Sequence, residues 1–281
     1  MPVRSSLARR CAALLIATGA LGACSVLPPA ADAPVTRRID MLLPADAVLL
    51  GEQHDAPEHH AIERETVEAL AASGRLAALA LEMAEEGNGT AHLPASATDM
   101  QVRTALAWND KAWPWADYGP TVMAAVRAGV PVVGANLPRD RMKDAMADVS
   151  LDAQLGDAAR EAQRQAVRSG HCNLLPESQI VPMTRIQIAR DRAMAQAVVK
   201  ARQPGKTVLL IAGAGHVLRP LGVPQHLPSD LKVASVRLLA AAPGTDDKDA
   251  KNNAADYDGT WRTPPLPEKD YCAGVKAPAR S

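Results

Sequence analysis

The chain has 281 residues, 47% of them hydrophobic, and its 31 basic side chains balance 31 acidic ones. That content is enough for one large core, and the lack of a basic excess excludes a protein that holds nucleic acid by neutralising phosphates.

The first 23 residues place Arg4, Arg9 and Arg10 before or at the start of the apolar stretch CAALLIATGALGA, the order of an export signal. The stretch is too short for a spanning helix. It ends in LGAC at residues 21–24, which resembles the bacterial lipobox and implies that Cys24 is lipidated and becomes the new N-terminus. An ordinary signal cut nearby, with Cys24 left free, is the alternative. No aspartate directly follows Cys24, and similarity to bacterial sorting rules then points to the outer membrane, facing the periplasm. Residues 24–44, with SVLPPAADAP, read as the lipidated cysteine and its flexible tether. Loss of the signal leaves 28 basic against 31 acidic residues, a formal charge of −3. Cys11 leaves with it, so Cys172 and Cys272 remain as a pair in an oxidising compartment and are expected to form a disulfide. Two unrelated buried thiols are the alternative.

In chain order, DAVLLG (46–51), LAALALEM (76–83), VPVVGAN (130–136), TVLLIAGAG (207–215) and KVASVRLL (232–239) are short, nearly continuous apolar runs. Strands buried on both faces read this way. Helical patterns occupy 56–73, 119–128, 138–149, 156–169 and 178–202. The alternation predicts an α/β fold, a mostly parallel sheet with helices on both faces, as one domain over residues 45–242. Residues 243–281 read as a Pro-rich extended tail packing back on that domain. Asp55 is placed to cap the first helix, with Glu58 three residues on and Pro57 in the first turn.

The first run finishes into Glu52 and His54, the second into Glu82, the third into Asn136 and the fourth into His216. Loops at the carboxyl ends of parallel strands converge on the crevice where ligands bind. Glu52 and His54 stand two apart, so an extended chain points both the same way. With Glu82 and His216 they form a sufficient ligand set for zinc, manganese or iron, and equally a sufficient set for acid–base work. The spacing matches no metalloprotease signature. A structural role stays open too, with both glutamates capping helix N-termini and His216 bonding a backbone carbonyl. GAGHVLRPLG carries Leu218 where a dinucleotide fingerprint needs its third glycine.

There is no Phe, and the four Trp and three Tyr fall in two groups. Trp108, Trp113, Trp115 and Tyr118 lie in WNDKAWPWADY; Tyr257, Trp261 and Tyr271 lie near the C-terminus. Such clustering suits either a platform for a flat apolar ligand or an anchor that pins a long loop.

LLGEQHDAPEHH, LALEM, WPWADYGP, VPVVGANLPR, GHCNLLPES, ARDRAMA and IAGAGHVLRPLGVPQHLP occur in that order. Together they resemble the ChaN-type haem-binding uptake lipoproteins over roughly residues 45 to 275, and more distantly the superfamily of Tiki proteases and erythromycin esterases. The resemblance implies an α/β domain, a lipid anchor and a part in haem or iron uptake. The superfamily's glutamates and histidines match Glu52, His54, Glu82 and His216. For haem iron, Tyr118 is the first candidate axial ligand, because phenolate suits ferric iron, and His54 the second. Trp113 and Trp115 would line the ring, and Arg139, Arg141 and Arg190 would pair with propionates.

The leading expectation is thus a non-enzymatic haem carrier. Its expected partners are haem, the membrane through the N-terminal lipid and an outer-membrane iron or haem transporter; a homodimer is also admitted. The alternative is a metal-dependent hydrolase, in which His54, His216 and one glutamate hold a divalent metal while the other glutamate deprotonates a water. A third reading is an interaction module working through RTPPLPEKDYC.

Overall fold

The computed structural model describes Met1, residues 33–242 and residues 256–275; the expected export signal and Cys24 lie outside these. Among the described residues six strands form one sheet: β1 (Ala47–Glu52), β2 (Leu76–Glu85), β3 (Val132–Asn136), β4 (Thr207–Gly213), β5 (Val233–Ala240) and β6 (Gly259–Thr263). All pair in parallel, in the order β3-β2-β4-β1-β5-β6. Every residue of β1 and β4 is buried, as central strands of a sheet covered on both faces must be.

The pleat sends successive side chains to opposite faces. Val48, Leu50, Leu79, Leu81, Leu209 and Ile211 join one core. It packs beneath α1 (Val35–Asp40), α2 (Pro57–Ala72) and α4 (Trp115–Arg127), which contribute Ile39, Val67, Leu70 and Val122. Ala47, Leu49, Ala80, Leu210 and Ala212 join a second core with Met194, Ala197 and Val198 of α7 (Glu177–Lys200). α3 (Asp99–Ala105) adds Val102 to the first core, and α5 (Met142–Ala147) and α6 (Asp157–Gly170) pack against α7. Among the described residues no helix is long and apolar enough to cross a membrane.

The α/β sheet follows the reading above, and four details depart from it. Residues 259–263, within the expected tail, form β6 along β5 and bury Trp261 in the first core. Residues 35–40, within the expected tether, form α1, because Val35 and Ile39 meet the same core. Asp55 does not cap α2: Ala56 holds the N-cap position, and Asp55 accepts instead from Lys269 Nζ (2.8 Å) and the Tyr271 hydroxyl (3.1 Å). The pattern at 138–149 is not one helix. It comprises a 3₁₀ turn (Arg139–Arg141) and α5, ended where Asp148 turns extended and its side chain accepts from Ser150 N (2.9 Å). Asp side chains compete with helix continuation in this way.

Cys172, at the turn between α6 and α7, is disulfide-bonded to Cys272. The bond holds the C-terminal segment beside the carboxyl edge of the sheet, where Gln53 Nε2 donates to the Tyr271 hydroxyl (2.8 Å).

Candidate functional site

Glu52 follows Leu50 by two residues and therefore faces α2 and α4; Glu82 follows Ala80 by two and faces α7. Both are buried at strand ends. Neither caps a helix; each serves as the hub of a half-site.

Around Glu52, Oε1 accepts from the Tyr118 hydroxyl (3.0 Å) and lies 2.9 Å from His54 Nδ1, while Oε2 lies 3.2 Å from His60 Nε2. α4 supplies Tyr118 and α2 supplies His60, whose rings stand 4.7 Å apart. The turn that carries His54 is fixed from below: Gln53 N donates to His59 Nδ1 (2.9 Å), and His59 Nε2 meets Thr263 Oγ1 of β6 (3.1 Å).

Around Glu82, Oε2 accepts from Gly213 N (2.8 Å), and Oε1 lies 3.4 Å from His216 Nε2. His216 Nδ1 in turn lies 2.6 Å from Asp191 Oδ1 on α7. His54 spans the halves, with Nε2 4.0 Å from Glu82 Oε2. Glycine at 213 leaves room for that ring, since a Cβ there would stand 2.9 Å from His54 Nε2.

Burial opposes every charge in the cluster, so the partners decide each ionisation. It works to raise Glu52, but the hydrogen bond from His54 and the nearby His60 ring outweigh it and hold the carboxyl well below its usual range. Glu82 is held lower still by His216, His54 and the Gly213 amide, again against burial. For His216, burial is overcome by the charges of Glu82 and Asp191, and its pKa is pushed up to about 10. Burial pushes Asp191 up to about 6 despite His216. His54 is raised by Glu52 and Glu82 against burial. Burial and the Glu52 charge push the Tyr118 phenol far above its usual range, so it keeps its proton.

Near neutral pH the cluster therefore holds anionic Glu52, Glu82 and Asp191 around a protonated His216. Its one solvent-facing ring is His54, whose side chain is 39% exposed and meets the edge of Trp113 at 4.8 Å. A mostly apolar cleft of about 320 Å³, lined by Val167, His171, Leu218 and Leu221, opens beside His216.

The structure thus brings Glu52, His54, Glu82, His216, Trp113 and Tyr118 together. Tyr118 lies in the core with its hydroxyl committed to Glu52. The other tryptophans work as an anchor. Trp108 Nε1 donates to Trp113 O (2.9 Å), Trp115 Nε1 donates to Asp99 Oδ2 (3.0 Å), and the two rings meet edge-on at 5.0 Å. Arg139 is exposed after β3, Arg141 pairs with Glu86 (3.7 Å), and Arg190 stands next to Asp191 on α7. The sequence reading did not single out His60, Glu63 or Asp191, although all three are polar residues at inward positions of amphipathic helices.

These features define an α/β protein with a carboxylate–histidine site at the carboxyl edge of a parallel sheet. Residues 38–227 match the family described as haem-binding uptake, Tiki superfamily, ChaN, and the chain belongs to that family. It is similar to the solved ChaN of Campylobacter jejuni, described for its cofacial haem binding, at 24% identity and a TM-score of 0.61; the match covers 78% of this chain and 89% of that one. Looser likenesses join it to a mutant of erythromycin esterase EreC (13% identity, TM-score 0.42, 74% and 77% covered). The RRSP effector domain of a Vibrio vulnificus toxin is similarly distant (14%, 0.42, 73% and 36%). No curated protein matches the chain.

Proposed function

We propose that this chain is a haem-binding protein of the bacterial envelope that takes part in haem or iron uptake, anchored through a lipid on Cys24 and facing the periplasm. Membership of the haem-binding uptake family carries the reading. The site supports a particular ligand. His54 Nδ1 is oriented by Glu52, which raises the basicity of Nε2 in the manner of a carboxylate behind a metal-bound histidine. The neighbouring Trp113 offers an aromatic edge for a porphyrin face. Tyr118, the other candidate, lies beneath this surface with its proton held, so His54 is the ligand proposed for the iron.

The anchor places the domain beside an outer-membrane transporter that would deliver or accept the cargo, with a second copy of the chain as a further partner. The metal-dependent hydrolase is not the reading the family match favours. Ferric haemin titrated into the chain from Ser25 onward is expected to give a saturable Soret shift; an unchanged spectrum with folded protein overturns the proposal. Cys24→Ser is expected to move the chain from the membrane to the soluble fraction.

A further inference from the structure

On the α2 side of Glu52, both carboxylate oxygens of buried Glu63 lack a hydrogen bond, and Glu52 Oε2 and His60 Nε2 meet no group but each other, as an ion pair at 3.2 Å. Glu63 has no exposed surface at all. One atom from each of the three residues lies within 4.8 Å of the other two. Leaving a buried carboxylate without a partner is costly, so the arrangement calls for an occupant.

Local structure shows that the convergence is built in. His60 and Glu63 stand three apart on one face of α2, and that face continues into buried Val67 and Leu70. Tyr118 and His54 engage only Oε1 of Glu52, which leaves Oε2 turned toward the pair. The 3.2 Å between Glu52 Oε2 and His60 Nε2 compares with roughly 3.4 Å between two ligands that each stand about 2.1 Å from a tetrahedral ion.

We propose that Glu52, His60 and Glu63 hold one divalent first-row transition ion, through Oε2, Nε2 and a Glu63 oxygen. Two carboxylates neutralise a dication, and one imidazole with two oxygens suits zinc, manganese or ferrous iron, whereas the absence of sulfur disfavours copper(I). The competing occupant is a proton shared between the glutamates. An ion bound here takes the place of that proton. This ligand set shares only Glu52 with the strand-tip cluster, and it stands independently of the haem reading.

The test uses the full chain, stripped with chelator and titrated with zinc and, separately, manganese. Bound metal is measured by mass spectrometry and stability by thermal unfolding. Wild type and His54→Ala are expected to retain about one ion per chain, matching the single three-residue ligand set, and wild type to gain in Tm. Glu63→Gln and His60→Gln, folded by circular dichroism, are expected to bind at least about tenfold more weakly and to gain nothing, as loss of a direct ligand implies. If Glu63→Gln does not fold, His60→Gln decides by the same titration. Folded wild type that retains neither metal overturns the proposal in favour of the shared proton. Undiminished binding in the variants overturns it equally.

Discussion

Glu52 and Glu82 approach one site from opposite faces of the sheet, and His54 spans them, 2.9 Å from the first and 4.0 Å from the second. The two-residue pleat requires this, since one carboxylate continues the Val48–Leu50 face and the other the Ala80 face. Each face supplies different partners: Tyr118 and His60 for Glu52, His216 and Asp191 for Glu82. One carboxylate thus accepts from a phenol and the other pairs with an imidazolium.

The His216 half sets an alkaline limit on stability. Its folded pKa, about 10, exceeds the ordinary 6.5, so its contribution is fully present below 6.5 and is lost as pH rises through 10. Asp191, raised to about 6, titrates below that window. Urea unfolding from pH 7 to 10.5 is expected to show wild type losing stability more steeply than His216→Asn. At pH 7 the substitution is expected to cost about 3–5 kcal/mol, because it strands buried Asp191 and Glu82. Parallel pH profiles would contradict this.

Tyr118→Phe keeps the ring and removes the donor from Glu52 Oε1. Deleting a buried hydrogen bond to a charged acceptor costs about 1.5–3 kcal/mol. Chemical denaturation should show that loss without a change in cooperativity.

The Cys172–Cys272 bond closes a sequence separation of 100 residues. Restricting the unfolded chain over that length is worth on the order of 4 kcal/mol. Cys272→Ser is expected to lose much of it and to free Tyr271 and Lys269 from Asp55, read as faster proteolysis of the C-terminal segment.

Gly213→Ala introduces a methyl 2.9 Å from His54 Nε2. The obstacle is the end of a half-exposed side chain, so the ring swings away, with stability falling by about 1–3 kcal/mol as for other overpacked sites. Haemin affinity is expected to fall by more than tenfold. An unchanged affinity would separate His54 from the haem.

Much of this architecture is legible in the sequence because strands covered on both faces must be apolar throughout, and five were. β6 was not, because Gly-Thr-Trp-Arg-Thr at a sheet edge has only Trp261 and Thr263 turned inward. The strand tips announced Glu52, His54, Glu82 and His216 by following apolar runs. His60 and Glu63 sit in a helix rich in charge, where one more polar pair looks like a solvated face. Their signal lies in phase, His60 seven residues before Val67 and Glu63 seven before Leu70 on the inward stripe. Asp191 hides likewise, three residues after buried Ile188. Asp55 misled because its side chain is drawn to Lys269 and Tyr271, more than 200 residues away in the chain, and local pattern carries no trace of such a partner.

The most direct measurement is an absorbance titration of ferric haemin into the chain from Ser25, run beside His54→Ala and Tyr118→Phe. The account predicts a saturable Soret shift in wild type and Tyr118→Phe that is lost in His54→Ala. A shift that survives in His54→Ala, or none in folded wild type, would contradict it.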